Sequence, residues 1–340
     1  MARGARDLGT VVEVDTFTRD GLTFDVLDAG PVDGDVVILL HGFPQDAHAW
    51  DAVTPVLGGT GLRTLAPWQR GYCPGATPRE IERYEIGELV ADVRALADAA
   101  GADRVHVVGH DWGAVVAWEM ALRHPDRVAT LTALSVPAPG AMAWATRKGP
   151  QLVRSWYVGA FCLPVLPERA LANARGRLDR SGLDPAAARG YAERFPDPSS
   201  FTGPLAWYRA MGWSAARRSR VAHLRPLAGP PTAGAVRIPT TFAWGLHDQF
   251  ISRAAAERCG RFVTAPYRFV ELDANHWLPE NEPDAVADLP AGTSLDPRLS
   301  PGEAARIMTG APVPSAADVI VPFEDTAGGL ADSLGQVSVV

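Results

Sequence analysis

The chain has 340 residues, of which 47% are hydrophobic and 21% are charged. This length allows one large domain or two ordinary ones, and the apolar content is sufficient for a sizeable core. Because 39 acidic residues outweigh 32 basic ones and give a net charge of −7, the composition excludes a basic nucleic-acid-binding domain.

The three cysteines, Cys73, Cys162 and Cys259, show no CxxC spacing. They predict neither a disulfide framework nor a zinc site and are typical of a reducing compartment, so we expect a cytoplasmic protein. The charged N-terminal segment lacks the apolar run of a secretory signal. Residues 128–146 form the longest uncharged stretch, but prolines interrupt it, so we expect no membrane span.

The first half of the chain alternates between strand and helix patterns. Residues 11–28 alternate apolar and polar side chains around Asp20-Gly21, which predicts a hairpin of two edge strands. The short apolar runs at 36–40 and 105–109 predict buried strands of a parallel sheet. Between them, apolar residues recur at helical spacing over 86–97 and predict one amphipathic helix.

The alternation continues with a helix at 113–123 and a strand at 128–135, and it stops at Pro137. From 137 to 235 the chain is rich in Arg, Trp and Pro and has no convincing buried strand, so we expect an inserted helical cap. The pattern then resumes with a strand at 240–245, a helix near 253–260, a strand at 267–272 and a helix near 282–289.

These elements predict a discontinuous α/β core over residues 1–136 and 236–289, interrupted by the cap over 137–235. Residues 290–340 contain scattered Pro, Gly, Ser and Thr without a strong apolar face. We therefore expect a weakly ordered C-terminal tail there.

The pentapeptide Gly109-His110-Asp111-Trp112-Gly113 follows a predicted buried strand and opens a predicted helix. This is the context of a nucleophile elbow, in which glycines stand where the neighbouring chain passes too close for side chains. Asp111 at its centre is a candidate nucleophile, and the N–H groups of the helix N-terminus favour its ionised form. An acidic helix N-cap is the structural alternative.

Further candidate residues follow other predicted strands. The segment 41–44 (HGFP) comes directly after the first parallel strand, where an oxyanion hole is expected from the N–H groups of Phe43 and Trp112. Asp248 and His276 follow the two later strands. The order nucleophile, acid, base is that of α/β-hydrolases, so Asp111, Asp248 and His276 are predicted to form a catalytic triad.

Seven segments together resemble the epoxide hydrolase branch of the α/β-hydrolase superfamily, within a resemblance that runs from about residue 12 to 289. They are HGFPQ (41–45), QRGYCPGA (69–76), GHDWGA (109–114), RSWYVGAFCLPVLPE (154–168), PLAWYRAM (204–211), WGLHD (244–248) and NHWLPENEP (275–283). The resemblance implies an α/β-hydrolase fold, with a mostly parallel eight-stranded sheet flanked by helices and an inserted helical cap. It implies neither a cofactor nor a metal.

Members of this branch carry two cap tyrosines that reach the epoxide oxygen, and the motifs place these at Tyr157 and Tyr208, with Tyr191 as a spare candidate. A phenol suits this task because it can donate a hydrogen bond or a proton to the alkoxide that ring opening creates. Packing within the cap is the structural alternative for each tyrosine.

We expect a small hydrophobic epoxide as substrate, because the predicted cap is rich in tryptophan. Phe43, Trp112 and Trp207 are the candidate substrate-binding residues, and the sequence leaves a homo-oligomer open. Two residues depart from the family pattern: Trp68 stands where an acidic residue is more frequent, and Cys73 replaces a small or polar one.

The expected reaction is conversion of an epoxide and water to a vicinal diol through a hydroxyalkyl ester of Asp111, which His276 and water then hydrolyse. One alternative is a haloalkane dehalogenase, which uses the same nucleophile and for which Trp112 would suit a halide site. The other is a non-catalytic ligand-binding member of the fold. The HGF sequence and the paired tyrosines favour the epoxide hydrolase.

Overall fold

The computed structural model describes residues 13–211 and 234–291. Within these ranges a single sheet contains eight strands. They are β1 (Thr16–Arg19), β2 (Leu22–Ala29), β3 (Val36–Leu40), β4 (Arg63–Pro67), β5 (Val105–His110), β6 (Val128–Leu134), β7 (Thr240–Gly245) and β8 (Tyr267–Leu272). The strand order is β1-β2-β4-β3-β5-β6-β7-β8. The predicted α/β class and the eight-stranded sheet are confirmed.

The sheet is antiparallel at one end and parallel over the rest. β2 pairs antiparallel with both β1 and β4, while all pairs from β4 through β3 to β8 are parallel. The predicted hairpin at Asp20-Gly21 is therefore present, but the expectation that both of its strands lie at the edge was wrong. β4, which the sequence analysis did not predict, covers the second edge of β2.

Twelve α-helices accompany the strands in the described ranges. They are α1 (Thr54–Gly59), α2 (Ile86–Ala99), α3 (Trp112–Arg123), α4 (Pro139–Lys148), α5 (Gln151–Arg154), α6 (Trp156–Phe161), α7 (Leu166–Ala174), α8 (Pro185–Arg194), α9 (202–211), α10 (Arg253–Glu257), α11 (Leu278–Asn281) and α12 (Pro283–Ala291). α2 and α3 are amphipathic or apolar helices that connect parallel strands, as the apolar spacing predicted. None of the helices in the described ranges is long and apolar enough to cross a membrane.

Residues 139–211, here called the helical segment, follow β6 and contain α4 to α9 without a strand of the sheet. Residues 212–233 of the predicted cap lie outside the described residues. The predicted tail also lies outside them, apart from residues 290 and 291, which end α12.

A buried ion pair joins β2 to β4. Arg63 and Asp28 have side chains that are 0% and 3% exposed, and the Arg63 Nε donates a hydrogen bond of 3.0 Å to Asp28 Oδ1. The Asp28 carboxylate also accepts a hydrogen bond from the backbone N–H of Val14. The carboxylate raises the pKa of Arg63 and keeps both charges paired inside the fold.

We predict that Asp28→Ala lowers the free energy of unfolding by about 3–5 kcal/mol, because it leaves the buried Arg63 guanidinium without its carboxylate. Urea denaturation followed by circular dichroism measures this change. Asp98→Ala is the matched control, since Asp98 bonds Arg127 at 2.6 Å but is 61% exposed, and a loss of no more than about 1 kcal/mol is expected. Equal losses in the two variants would contradict the prediction.

Candidate active site

Asp111 lies on a sharp turn between β5 and α3. Its φ of 52° and ψ of −116° place a non-glycine residue in a region that costs about 1–3 kcal/mol. The turn is possible because glycines stand at close contacts: a Cβ at Gly113 would lie 2.0 Å from the Leu40 carbonyl oxygen, and one at Gly109 would lie 2.3 Å from the Gly113 oxygen. The strand, turn and helix therefore form the predicted elbow.

The loop after β3 meets the Asp111 carboxylate. The backbone N–H of Phe43 donates a hydrogen bond of 2.9 Å to Asp111 Oδ1. A Cβ at Gly42 would approach the Asp111 Cβ to 2.4 Å, so only glycine fits beside the carboxylate. Trp112 is the first residue of α3, where backbone N–H groups lack partners within the helix. Phe43 and Trp112 thus both stand next to the carboxylate.

His276 connects Asp111 to Asp248. Its Nδ1 lies 2.7 Å from Asp248 Oδ2, and its Nε2 lies 3.4 Å from Asp111 Oδ2. The Asp248 side chain is 0% exposed, and its Oδ1 accepts hydrogen bonds from the N–H groups of Phe250 and Ile251. The structure therefore brings together the three side chains that the chain order predicted.

The charges of this group reinforce one another. Burial lowers the pKa of His276, but Asp248 and Asp111 outweigh burial and raise it above the usual histidine value. Burial raises the pKa of Asp111, but His276 and the Phe43 N–H outweigh burial and hold it below the usual aspartate value. These shifts favour an imidazolium beside the Asp111 carboxylate in the resting site.

A second polar network, which the sequence analysis missed, lies behind His276. His110 Nε2 is 2.8 Å from the His276 carbonyl oxygen, and His110 Nδ1 is 2.8 Å from Gln45 Oε1. Gln45 Oε1 also accepts a hydrogen bond from the Gly42 N–H, and Gln45 Nε2 donates one of 2.6 Å to Glu280 Oε1. Burial raises the pKa of Glu280 to about 7. In the sequence, this network could have been suspected from Gln45, which directly follows HGFP (41–44), and from Glu280, which directly follows HWLP (276–279).

Tyr157 and Tyr208 approach this group from the helical segment. The Tyr208 ring contacts Trp112 and Phe43 at centroid distances of 4.9 and 5.6 Å. The Tyr157 ring contacts Phe250 at 5.7 Å, and Phe250 contacts His276 at 4.8 Å. Burial, with the nearby charge of Asp111, raises the pKa of both phenols above the usual tyrosine value. Both hydroxyls therefore keep their protons at neutral pH.

A third phenol, Tyr72, was not among the candidates. Burial and the charge of Asp111 raise its pKa, and its ring contacts His41 at 4.6 Å and Trp207 at 6.1 Å. In the sequence, Tyr72 ends the segment QRGY (69–72), which is part of one of the segments that resemble the family.

The remaining predicted residues lie around the site at different depths. Trp207 is buried, donates from Nε1 to the Arg70 oxygen at 2.8 Å, and contacts Trp112 at 5.6 Å. The Tyr191 hydroxyl donates to Glu280 Oε1 at 2.8 Å, so Tyr191 belongs to the second network.

Trp68 and Cys73, which depart from the family pattern, contact residues other than Asp111, Asp248 and His276. The Trp68 ring contacts His48 at 5.3 Å, and Cys73 is buried with its Sγ near the Trp68 oxygen. No group of three His, Cys, Asp or Glu side chains is arranged to hold a metal ion within the described ranges.

The sequence matches the family model of the α/β hydrolase fold over residues 35–283. A second model, that of the MoeA N-terminal region (domain I and II), matches residues 270–338, most of which lie outside the described part of the chain.

Similar proteins include several epoxide hydrolases. The chain is 34% identical over 312 residues to epoxide hydrolase A of Mycobacterium tuberculosis, covering 78% of this chain and 92% of that protein. It is 30% identical over 283 residues to epoxide hydrolase 3 of Xenopus tropicalis, covering 78% of this chain and 73% of that protein. The crystal structure of epoxide hydrolase A from Mycobacterium thermoresistibile superimposes with a TM-score of 0.68 at 27% identity, covering 82% and 98% of the two chains.

Proposed function

The chain belongs to the α/β hydrolase fold family, and from this membership we propose that it is an epoxide hydrolase, which adds water to an epoxide to give a vicinal diol. The main support is one arrangement: the Asp111 carboxylate meets the Phe43 N–H and His276, and the protonated phenols Tyr157 and Tyr208 approach from the helical segment. The epoxide hydrolase names of the relatives agree with it.

In the first half-reaction an Asp111 carboxylate oxygen attacks an epoxide carbon, and the bond from that carbon to the ring oxygen breaks. The electron pair moves to the ring oxygen, which takes a proton from Tyr157 or Tyr208. The product is a hydroxyalkyl ester of Asp111. Asp111 is suited to this step because its low pKa keeps it ionised despite burial.

In the second half-reaction His276 first loses its resting proton to solvent and regains it from solvent when the Asp111 carboxylate is restored at the end of the cycle. Neutral His276 removes a proton from water, and the hydroxide attacks the ester carbonyl carbon of Asp111. The N–H groups of Phe43 and Trp112 stabilise the oxyanion. When the ester bond breaks, the departing oxygen takes the proton from His276, and the Asp111 carboxyl proton returns to the tyrosinate. Esterification removes the Asp111 charge that had raised the pKa of His276, so this step itself favours a neutral base.

The helical segment is part of the proposed cap over 137–235, which covers the discontinuous core (1–136 and 236–289) and supplies both phenols. Phe43, Trp112 and Trp207 are proposed to contact a hydrophobic epoxide. The three cysteines are free, which supports a cytoplasmic location.

A single-turnover reaction with excess enzyme in ¹⁸O-water tests the function. With an aryl epoxide we expect diol, and we expect the label in the peptide that contains Asp111, because water attacks the enzyme ester. The Asp248 peptide of the same digest serves as the unlabelled control. Label in the diol with none in Asp111 would contradict the ester. Halide release from a bromoalkane without any diol from the epoxide would favour the dehalogenase.

We predict that Tyr157→Phe and Tyr208→Phe each slow ester formation by about tenfold or more, and that the double variant slows it by about 10²- to 10⁴-fold. The phenols donate their proton when the ring opens, and the tyrosinate is reprotonated only after the ester bond has broken, so hydrolysis of the ester is expected to change by less than about threefold. Stopped-flow tryptophan fluorescence separates the two rates. Tyr267→Phe, on β8, is the control. Equal slowing of both steps would show that these phenols serve the packing of the site instead.

A further inference from the structure

Asp248 lies on a loop whose backbone is hydrogen-bonded to side chains of α5. Residues 248–252, here called the acid loop, follow β7 and carry Asp248 at their start. Within the loop, the N–H groups of Phe250 and Ile251 donate to Asp248 Oδ1 at 2.7 and 2.8 Å. The carboxylate orientation therefore depends on the backbone of the loop.

Gln151 on α5 pairs with this backbone from outside. Its side chain is fully buried, its Nε2 donates to the Phe250 oxygen at 2.8 Å, and its Oε1 accepts from the Ser252 N–H at 2.8 Å. The side-chain amide thus occupies one carbonyl and one N–H of the loop, as a neighbouring strand would. Because the site is buried, removing the amide leaves both backbone groups without these bonds.

Arg154, one turn further along α5, binds the same loop at its first residue. Its Nη1 donates to the Asp248 carbonyl oxygen at 2.7 Å and lies 3.4 Å from the Ile251 oxygen. A charged donor makes a stronger bond than a neutral one. Gln151 and Arg154 together contact the loop at both ends.

The acid loop also contacts Tyr157, which is proposed to act in the first half-reaction, and His276, which is proposed to act in the second. The Phe250 ring lies between His276, at 4.8 Å, and Tyr157, at 5.7 Å. Tyr157 stands on α6, which directly follows α5. A shift of α5 relative to the loop would therefore change the position of Asp248 relative to His276.

We propose that Gln151 and Arg154 are positioning residues for ester hydrolysis, which hold the acid loop so that Asp248 keeps His276 aligned toward the Asp111 ester. The inference rests on the proposed function, because it assigns these residues to its second half-reaction. They do not touch the reacting atoms. Ester formation needs the Asp111 carboxylate and the phenols, so it is expected to depend little on them.

Two variants with matched controls test this role. Gln151→Leu removes the buried amide. Ser155→Ala is its control, because the Ser155 hydroxyl accepts a hydrogen bond from Gln151 Nε2 and its loss leaves the loop bonds intact. Arg154→Ala removes the bond to Asp248, and Arg147→Ala is its control, since Arg147 is exposed and bonds Ala143 of its own helix. Arg154 is partly exposed, so its variant provides the test if Gln151→Leu does not fold.

Single-turnover fluorescence and intact-mass analysis with an aryl epoxide supply the readouts, with the unmodified enzyme in parallel. We expect ester hydrolysis to fall about 10- to 100-fold in Gln151→Leu and less in Arg154→Ala, since a misplaced group can cost this much, while ester formation changes less than about threefold. In the pH profile of the hydrolysis rate, the decrease on the acid side is expected to move to lower pH. Asp248 raises the pKa of His276, so a displaced Asp248 raises it less. Both controls are expected to behave like the unmodified enzyme.

A merely structural role would lower the melting temperature and slow both steps together, without moving the acid-side decrease of the hydrolysis rate, and that result would overturn the positioning role. Unchanged hydrolysis in both variants would overturn it as well. If the unmodified enzyme itself formed no ester, the proposed function would fail first, and the positioning role with it. Ester formation by the unmodified enzyme and normal hydrolysis by the variants would reject only the role of Gln151 and Arg154.

Discussion

Replacing Asp111 by alanine is expected to abolish the enzyme ester and to lower epoxide turnover by about 10⁴-fold or more, the scale on which removal of a nucleophile acts. Asp248 is not placed to take over in the proposed reaction, because it lies on the far side of the His276 ring and its Oδ1 is bonded to two N–H groups. Intact-mass analysis after rapid mixing with the epoxide measures the ester, and steady-state diol formation measures turnover.

Asp273→Ala is the control for this variant, since Asp273 is an exposed aspartate that pairs with the exposed His247 at 2.8 Å. Its turnover is expected to remain normal. A persistent mass increase equal to that of the epoxide in Asp111→Ala would place the nucleophile elsewhere. Substantial diol formation without any ester would instead favour direct attack by water.

Replacing His276 by glutamine is expected to leave ester formation largely intact and to slow its hydrolysis by about 10²- to 10⁴-fold, because water then lacks its base. The enzyme should therefore gain the mass of one epoxide molecule and retain it. His247→Gln is the matched control, since this histidine also pairs with an aspartate but lies on the surface. Rapid multiple turnover by His276→Gln would exclude His276 as the base.

In the unmodified enzyme, acid is expected to slow ester hydrolysis while it leaves ester formation largely unchanged. The pKa of Asp111 lies below the usual value, so the nucleophile remains ionised as the medium becomes acidic. Hydrolysis needs neutral His276, whose pKa Asp248 raises even after Asp111 is esterified. Quenched-flow samples should therefore contain more ester as the pH falls, and a decrease in the ester fraction would contradict this assignment.

The sequence predicted the strands that have an apolar run or a regular alternation, and it missed β4, which has neither pattern. β3 and β7 are runs of apolar or small residues, and β5 is mainly apolar with two histidines; such runs indicate buried parallel strands. β4 (Arg63–Pro67) begins with a charged side chain, although all five of its residues are buried. Asp28, 35 residues earlier, supplies a counter-charge that stabilises the buried Arg63 there.

The candidate site divides in a similar way. Asp111, Asp248 and His276 were found because each follows a strand that the sequence already indicated. Gln45 and Glu280 were missed because their link joins residues 235 positions apart and has no local pattern. Gln151 was missed for the same reason, since its bonds to the acid loop span about a hundred residues.

The helical segment and residues 212–239 separate β6 from its sheet neighbour β7, and this order matters during synthesis. The nucleophile elbow and β6 leave the ribosome first, and β7, with the acid loop after it, follows roughly a hundred residues later. At a synthesis rate of about 5–20 residues per second, the edge of β6 that pairs with β7 remains unpaired for on the order of 5–20 s. Unpaired strand edges promote aggregation. A nascent chain stopped before Thr240 should therefore bind chaperones more strongly than one that extends past Leu272.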